Sequence, residues 1–291
     1  MVNKIRIKVG ATSANLGPGF DSLGIALNIY DIYEFELSNE YSTVGFEDEY
    51  NNVSSNLIIE AYKKYGLVKN LFVKPVKVSL IKSSIPISRG LGSSAACIIA
   101  GVKAAAYFLS INDEMILNVA TLIEGHPDNV VPCFTGNLCA SFIDDNHVYY
   151  GQYKVSSDIS ILAIYPRFKL RTDVARKILP TQLNYETCVY NLSRVSLVTK
   201  GFETGDLKLL YHAMKDEMHE KYRYKFINGI DLLKEFACTN KYPLVISGSG
   251  PTILMVVDKN FDVMLLKNLV DQQWLIRKVK VDKKGAMIYE C

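Results

Sequence analysis

The sequence predicts a mixed α and β fold of one large or two modest domains, and three observations predict it. Its 291 residues, 49% of them apolar, suffice for a substantial core. Hydrophobic period switches repeatedly between two and helical spacing: Val76, Val78 and Leu80 alternate with Lys77 and Ser79, whereas 95–109 is almost continuously apolar. The stretch 159–163, with Ile159, Ile161 and Ala163, reads as apolar on both faces, as a central strand is.

In chain order, Ile5, Ile7 and Val9 alternate with Lys4, Arg6 and Lys8, a strand with one wet face. Residues 11–24 are dense in glycine and proline and read as an irregular loop, either a site carried on rigid strands or a long surface connection. Strand character resumes at Leu27, Ile29, Tyr33, Phe35 and Leu37, followed by a polar excursion over 38–52 and a helix over 56–65. After the strand at 76–80 come a glycine-serine turn and the helix at 95–109. A second helix starts at Asn112, Asp113 and Glu114 and runs to Glu124, where Gly125 and Pro127 stop it. Two or three strands fill 136–165, Leu138, Ala140 and Phe142 marking one of them, with a domain boundary placed near 155. Helices at 182–202 and 206–220, a strand–glycine turn–strand at 242–257, a helix at 262–272 and a strand pair around Gly285 complete the chain.

Composition excludes several classes. A net charge of +3, without any lysine or arginine block, gives no support to nucleic acid or membrane binding. No apolar run reaches the length of a membrane span. Cys97, Cys133, Cys139, Cys188, Cys238 and Cys291 show neither a CxxC pair nor zinc spacing and read as reduced core thiols. The N-terminus opens on alternating charges and not on a signal peptide, so the expected location is cytoplasmic.

Chemistry concentrates in Pro86-Ile87-Ser88-Arg89-Gly90-Leu91-Gly92-Ser93-Ser94-Ala95-Ala96. Strand, turn and helix in that order aim a helix N-terminus into the turn, where unpaired N–H groups suit an anion. Gly90 and Gly92 leave room for it and allow positive φ, and Ser93 and Ser94 can cap the helix or face a metal. It lacks the Gly-Lys-Ser/Thr ending of a Walker loop. The alternative is a small-residue turn that lets a helix pack closely on a sheet.

This stretch resembles the phosphate loop of the GHMP kinases, the superfamily of galactokinases, homoserine kinases and mevalonate kinases. Ser13-Ala14-Asn15-Leu16-Gly17-Pro18-Gly19-Phe20-Asp21 with Leu23-Gly24 is similar to the first motif of that superfamily in its homoserine kinase form. Glu124-Gly125-His126-Pro127-Asp128-Asn129-Val130, which could otherwise be a solvated helix end, resembles a homoserine kinase pattern, as do Thr172-x-x-Ala175-Arg176-x-x-Leu179-Pro180 and His219-Glu220-Lys221-Tyr222-Arg223. Arg171 stands where serine is common, and Lys221 replaces a proline. Ser247-Gly248-Ser249-Gly250-Pro251-Thr252 is similar to the third superfamily motif.

The resemblance implies an α+β, two-domain GHMP fold. Residues 1–155 would form an N-terminal domain like the second domain of ribosomal protein S5, and 156–291 a ferredoxin-like C-terminal domain. It implies ATP and Mg²⁺ as cofactors and L-homoserine as the acceptor, phosphorylated to O-phospho-L-homoserine in threonine biosynthesis. Pro86, Ser88, Arg89, Gly90, Leu91, Gly92, Ser93, Ser94 and Ala95 would bind nucleotide, with Asn56 near adenine and Ser94 and Glu124 on the metal. Asn15, Asp21 and Glu124 carry the implied catalytic roles. Asn15, Asp21, His126, Asp128, Arg176, Arg223 and Gly248 would hold the substrate, the two guanidinium forks matching its carboxylate. A kinase for another small alcohol and a catalytically silent relative are the competing readings. The oligomeric state is left open, a homodimer among the options.

Overall fold

A computed structural model of the protein describes residues 3–111, 115–168 and 172–290, without the side chains of 172–174. The expected helix start at Asn112, Asp113 and Glu114, the Arg171 position and Cys291 lie outside the described residues.

The first sheet is built on a long hairpin of β1 (Lys4–Asn15) and β2 (Gly19–Leu37). Ile5, Ile7 and Val9 are fully buried, each worth about 1.5–3 kcal/mol of apolar transfer. On the wet face, Lys4 and Arg6 reach across to Glu34 at 3.3 and 2.9 Å. The glycine- and proline-rich stretch is not an irregular loop. Strand pairing persists from Ala11↔Leu27 to Asn15↔Gly19, and only a tight turn separates the strands. The sequence features went instead into two register shifts and into positive φ at Asn15, Leu16 and Asp21.

β3 (Ser42–Val44) lies parallel to β4 (Val76–Lys82) at the far edge. Between them runs α1 (Leu57–Lys69), capped by the Asn56 side chain. Then follow α2 (Ser93–Phe108), α3 (Ile116–Glu124) and α4 (Pro127–Thr135). α4 was not expected: Pro127 ends nothing here but occupies the first helical turn, where its missing N–H is harmless. β5 (Leu138–Asp144) and β6 (His147–Tyr153) extend the sheet from β2.

β7 (Ile159–Pro166) opens the second sheet. Its Ile161 and Ala163 join the first core while Leu162 and Ile164 join a second one, so both faces are covered. Next come α5 (Thr172–Lys177), α6 (Tyr185–Thr204), α7 (Leu207–Ala213), the single-turn α8 (Glu220–Arg223) and α9 (Ile230–Asn240). The expected helix at 206–220 stops at Ala213, because the Asp216 carboxylate draws in the backbone N–H groups of Met218, His219 and Glu220. α9, passed over in the sequence, is nailed down by Ile230, Leu233 and Ala237. β8 (Leu244–Ile246), β9 (Ile253–Asp258), the short α10 (Met264–Lys267) and β10 (Trp274–Val279) complete this unit. Its antiparallel order, β10-β7-β9-β8, is the ferredoxin-like order.

The expected C-terminal strand pair does not form. β10 closes the second sheet, whereas β11 (Met287–Glu290) crosses back to pair with β1. A cut at residue 155 would separate the two sheets but for this one strand. Among the described residues no helix is long and apolar enough to cross a membrane.

Candidate active site

A cleft of about 500 Å³ opens between the two sheets, and residues from every motif line it. At its floor, Gly92 (φ 67°) precedes α2, whose first turn receives no side-chain cap, so its N–H groups face the cleft. The glycines serve close approach more than anion room. A Cβ on Gly92 would come within 1.9 Å of Thr12 Oγ1, and one on Gly90 within 2.4 Å of the Ser247 carbonyl. Thr12 N donates to Leu91 O at 3.1 Å and Thr12 Oγ1 to Asn129 Oδ1 at 2.8 Å, fastening the loop to β1 and α4.

Neither serine caps α2. Ser94 Oγ donates to Glu124 Oε2 at 2.6 Å instead. A hydroxyl and a carboxylate beside an uncapped helix start form a hard oxygen donor set of the kind Mg²⁺ takes. Burial pushes the Glu124 carboxyl above its ordinary range, against the pull of the Ser94 hydrogen bond and His126.

Of the expected nucleotide residues, Ser88, Gly90, Gly92, Ser93, Ser94 and Asn56 line the cleft; Pro86, Arg89, Leu91 and Ala95 do not. Arg89 turns away, donating to Pro166 O at 3.0 Å and Arg167 O at 2.6 Å, because two open strand-end carbonyls lie within its reach. Leu91 is fully buried in the core. The Asn56 amide is committed to its own backbone, accepting from Ile58 N and Ile59 N and donating to Tyr50 O. Part of the surrounding wall is aromatic and apolar, with Tyr33 and Phe46 stacked at 6.2 Å beside Leu57, Leu80 and Cys97, and Asp31 and Glu47 also line it. Burial pushes the Cys97 thiol up to about 12.

At the other end the charged residues meet. Asp21 receives a bidentate ion pair from Arg176, at 2.9 and 2.8 Å. His126 Nδ1 lies 2.6 Å from Asp128 Oδ1. Burial pushes His126 down, but the Asp128 hydrogen bond and the charges of Asp128, Glu124 and Asp21 together outweigh it, and its pKa is raised. Asp21, His126 and Asp128 bring ligand-type atoms within 4.8 Å of one another, although Arg176 already engages both oxygens of Asp21. Arg223 is buried and donates to Ala175 O and Gly248 O, at 3.2 and 2.9 Å. Desolvation, together with Arg176, pulls its pKa down to about 10. Phe20 stands between the guanidiniums, 5.6 Å from that of Arg176 and 5.4 Å from that of Arg223.

Asn15 lines the cleft, but its side chain is a brace. Nδ2 donates to Gly248 O at 2.9 Å, and Oδ1 accepts from Asp21 N at 3.1 Å. The third glycine turn is thereby tied to the first motif, and Thr252 N donates to Arg89 O at 3.1 Å to tie it to the phosphate loop. Sequence reasoning passed over Thr12, Asn129 and Phe20. Each sits inside or beside a quoted motif, which was the available signal.

A bare helix start fastened beneath a second glycine turn, over a ferredoxin-like sheet, defines the GHMP kinase class. The family profile of the GHMP kinase N-terminal domain matches residues 56–137. The homoserine kinase of Clostridium botulinum is 37% identical over 297 residues, covering 99% of each chain. That of Clostridium beijerinckii is 37% identical over 302 residues, 98% of this chain and 99% of its own. The crystal structure of homoserine kinase from Cytophaga hutchinsonii superposes with a TM-score of 0.85 at 25% identity, covering 99% of this chain and 98% of the other. The chain belongs to the homoserine kinase family.

Proposed function

We propose that this chain transfers the γ-phosphoryl group of ATP to the side-chain hydroxyl of L-homoserine, giving O-phospho-L-homoserine for threonine biosynthesis. The observation that carries the reading is the division of one cleft. An uncapped helix start lies at its floor, and two guanidiniums stand with two carboxylates at one end. The two guanidiniums of Arg176 and Arg223 beside the carboxylates of Asp21 and Asp128 offer a zwitterionic amino acid an opposite charge for each of its own.

In this reading the phosphates rest on the N–H groups from Gly92 to Ser94, and the aromatic wall of Tyr33 and Phe46 takes the adenine. Ser94 and Glu124 are the residues that would hold Mg²⁺, which when bound supplies charge neutralisation along the phosphates. Arg176 and Arg223 meet the α-carboxylate; Asp21, with His126 and Asp128 beside it, meets the ammonium. Among the described residues lining the cleft there is no lysine. The loose transition state of phosphoryl transfer depends on alignment and charge stabilisation, so a strong base is not needed.

The test is ADP release with homoserine, mevalonate, shikimate and galactose as acceptors. Turnover with homoserine and background rates with the rest are expected. A faster rate with any of the other three would refute the assignment.

A further inference from the structure

One buried imidazole in the acceptor half of the molecule takes no part in the reaction as described. His219 has no solvent exposure. Its Nε2 lies 2.9 Å from the carbonyl oxygen of Gly17, in the turn between β1 and β2. Its Nδ1 lies 3.1 Å from Nη1 of Arg223. A carbonyl can only accept a hydrogen bond and a guanidinium can only donate one. The ring must therefore carry its proton on Nε2 and present the Nδ1 lone pair to Arg223. A second proton on the ring would set N–H against N–H.

The surroundings agree. Burial pushes the imidazole pKa below its ordinary value, and the Arg223 charge acts in the same direction. The nearby Asp216 carboxylate, 3.7 Å from Nε2, opposes this, but it is already engaged by Asn191 Nδ2 at 2.7 Å and by three backbone N–H groups. The Phe20 ring closes the remaining side at 5.3 Å.

We propose that His219 is a positioning residue: its Nδ1 lone pair aims the Arg223 guanidinium at the acceptor, while its Nε2–H ties down the turn that leads to Asp21. The proposal rests on the reading of Arg223 as a carboxylate partner, and it adds a residue that touches no substrate. Without Nδ1, Arg223 keeps two backbone acceptors, Ala175 O at Nε and Gly248 O at Nη1, and loses the imidazole lone pair that fixes the rotation of its fork toward the cleft.

Two near-isosteric variants separate the two bonds. The carbonyl oxygen of His219→Asn falls near the Nδ1 position and still accepts from Arg223. The amide nitrogen of His219→Gln falls near Nε2 and still donates to Gly17, removing only the imidazole acceptor of Arg223. Steady-state kinetics on the full chain should show His219→Gln raising the homoserine KM by about tenfold, the loss of one charge-assisted hydrogen bond. kcat and the ATP KM should stay near wild type. His219→Asn should keep the homoserine KM within about threefold. A His219→Gln KM equal to wild type, or a His219→Asn variant as impaired as His219→Gln, would overturn the proposal. Nitrogen-15 NMR of the wild-type ring gives a readout independent of whether either variant folds. Protonated Nε2 with bare Nδ1 is expected, and a charged ring or the opposite tautomer overturns it. Wild-type protein that failed to turn over homoserine would count against the proposed function and leave the tautomer assignment standing.

Discussion

Arg176→Ala is the substitution whose cost follows most directly from the geometry. A charge-assisted hydrogen bond contributes about 1.5–3 kcal/mol, and a guanidinium fork can offer a carboxylate two of them. In the structure that fork is already spent on Asp21, at 2.9 and 2.8 Å, so a substrate carboxylate gains only the difference between the two partners. We therefore set the net loss at about 1.5–2.5 kcal/mol, a rise in homoserine KM of about 10- to 60-fold. The fold should hardly notice: with 44% of the Arg176 side chain exposed, the pair contributes about 0–1 kcal/mol to stability, a melting shift below about 3 °C. The assay is ADP release at saturating ATP with homoserine varied, run beside 3-aminopropan-1-ol, the same alcohol without its carboxylate. Losing the arginine should leave the slow rate on the amino alcohol unchanged. A homoserine KM within twofold of wild type, or an equal loss on both alcohols, would refute the carboxylate role.

Two further predictions concern the carboxylates. Glu124→Gln should raise the Mg²⁺ concentration for half-maximal rate by about tenfold while sparing the homoserine KM, measured by metal titration at fixed ATP; an unchanged titration would place the metal elsewhere. Burial holds the Glu220 carboxyl at about 8, against an ordinary 4.5, with Ile246 N and Tyr224 Oη as its donors. Between those two values the folded chain keeps a proton that the unfolded chain releases, so stability falls as pH rises from 4.5 to 8 and levels off above it. Denaturant midpoints across that window should slope downward in the wild type and less steeply in Glu220→Gln; parallel slopes would refute the assignment.

Much of the architecture could be read because local pattern and tertiary burial agree. Ile5, Ile7 and Val9 alternate in the sequence and are buried on one side of β1; Ile159–Ala163 is apolar on both faces because two cores need it. Failures came where a distant partner decided the outcome. Backbone pairing with 24–27 kept 11–14 in the sheet despite the composition of that stretch. Pro127 carries the same letter whether it stops one helix or begins the next. β10 and β11 are neighbours in sequence, yet their partners, β7 and β1, lie in different sheets. In the site, residue types were legible and side-chain directions were not. Arg89 sits in the nucleotide motif, but carbonyls 77 and 78 residues away draw it outward. Asn15 and Asn56 looked like ligand contacts, and both spend their amides on the backbone.

The return of β11 to β1 bears on how the protein is made. During synthesis β1 is made well before residues 287–290, and its outer edge stays unpaired until they follow. The incoming tail also shares backbone hydrogen bonds with β2 on its way, from Asn28 N to Lys280 O and from Asp282 N to Ala26 O. The nascent half-molecule therefore carries an open strand edge, the kind of surface that invites pairing with a neighbouring chain. Pairing of β11 with β1 both closes that edge and carries the chain from the second sheet back onto the first, so the two sheets are stitched together by a strand that follows both of them in sequence.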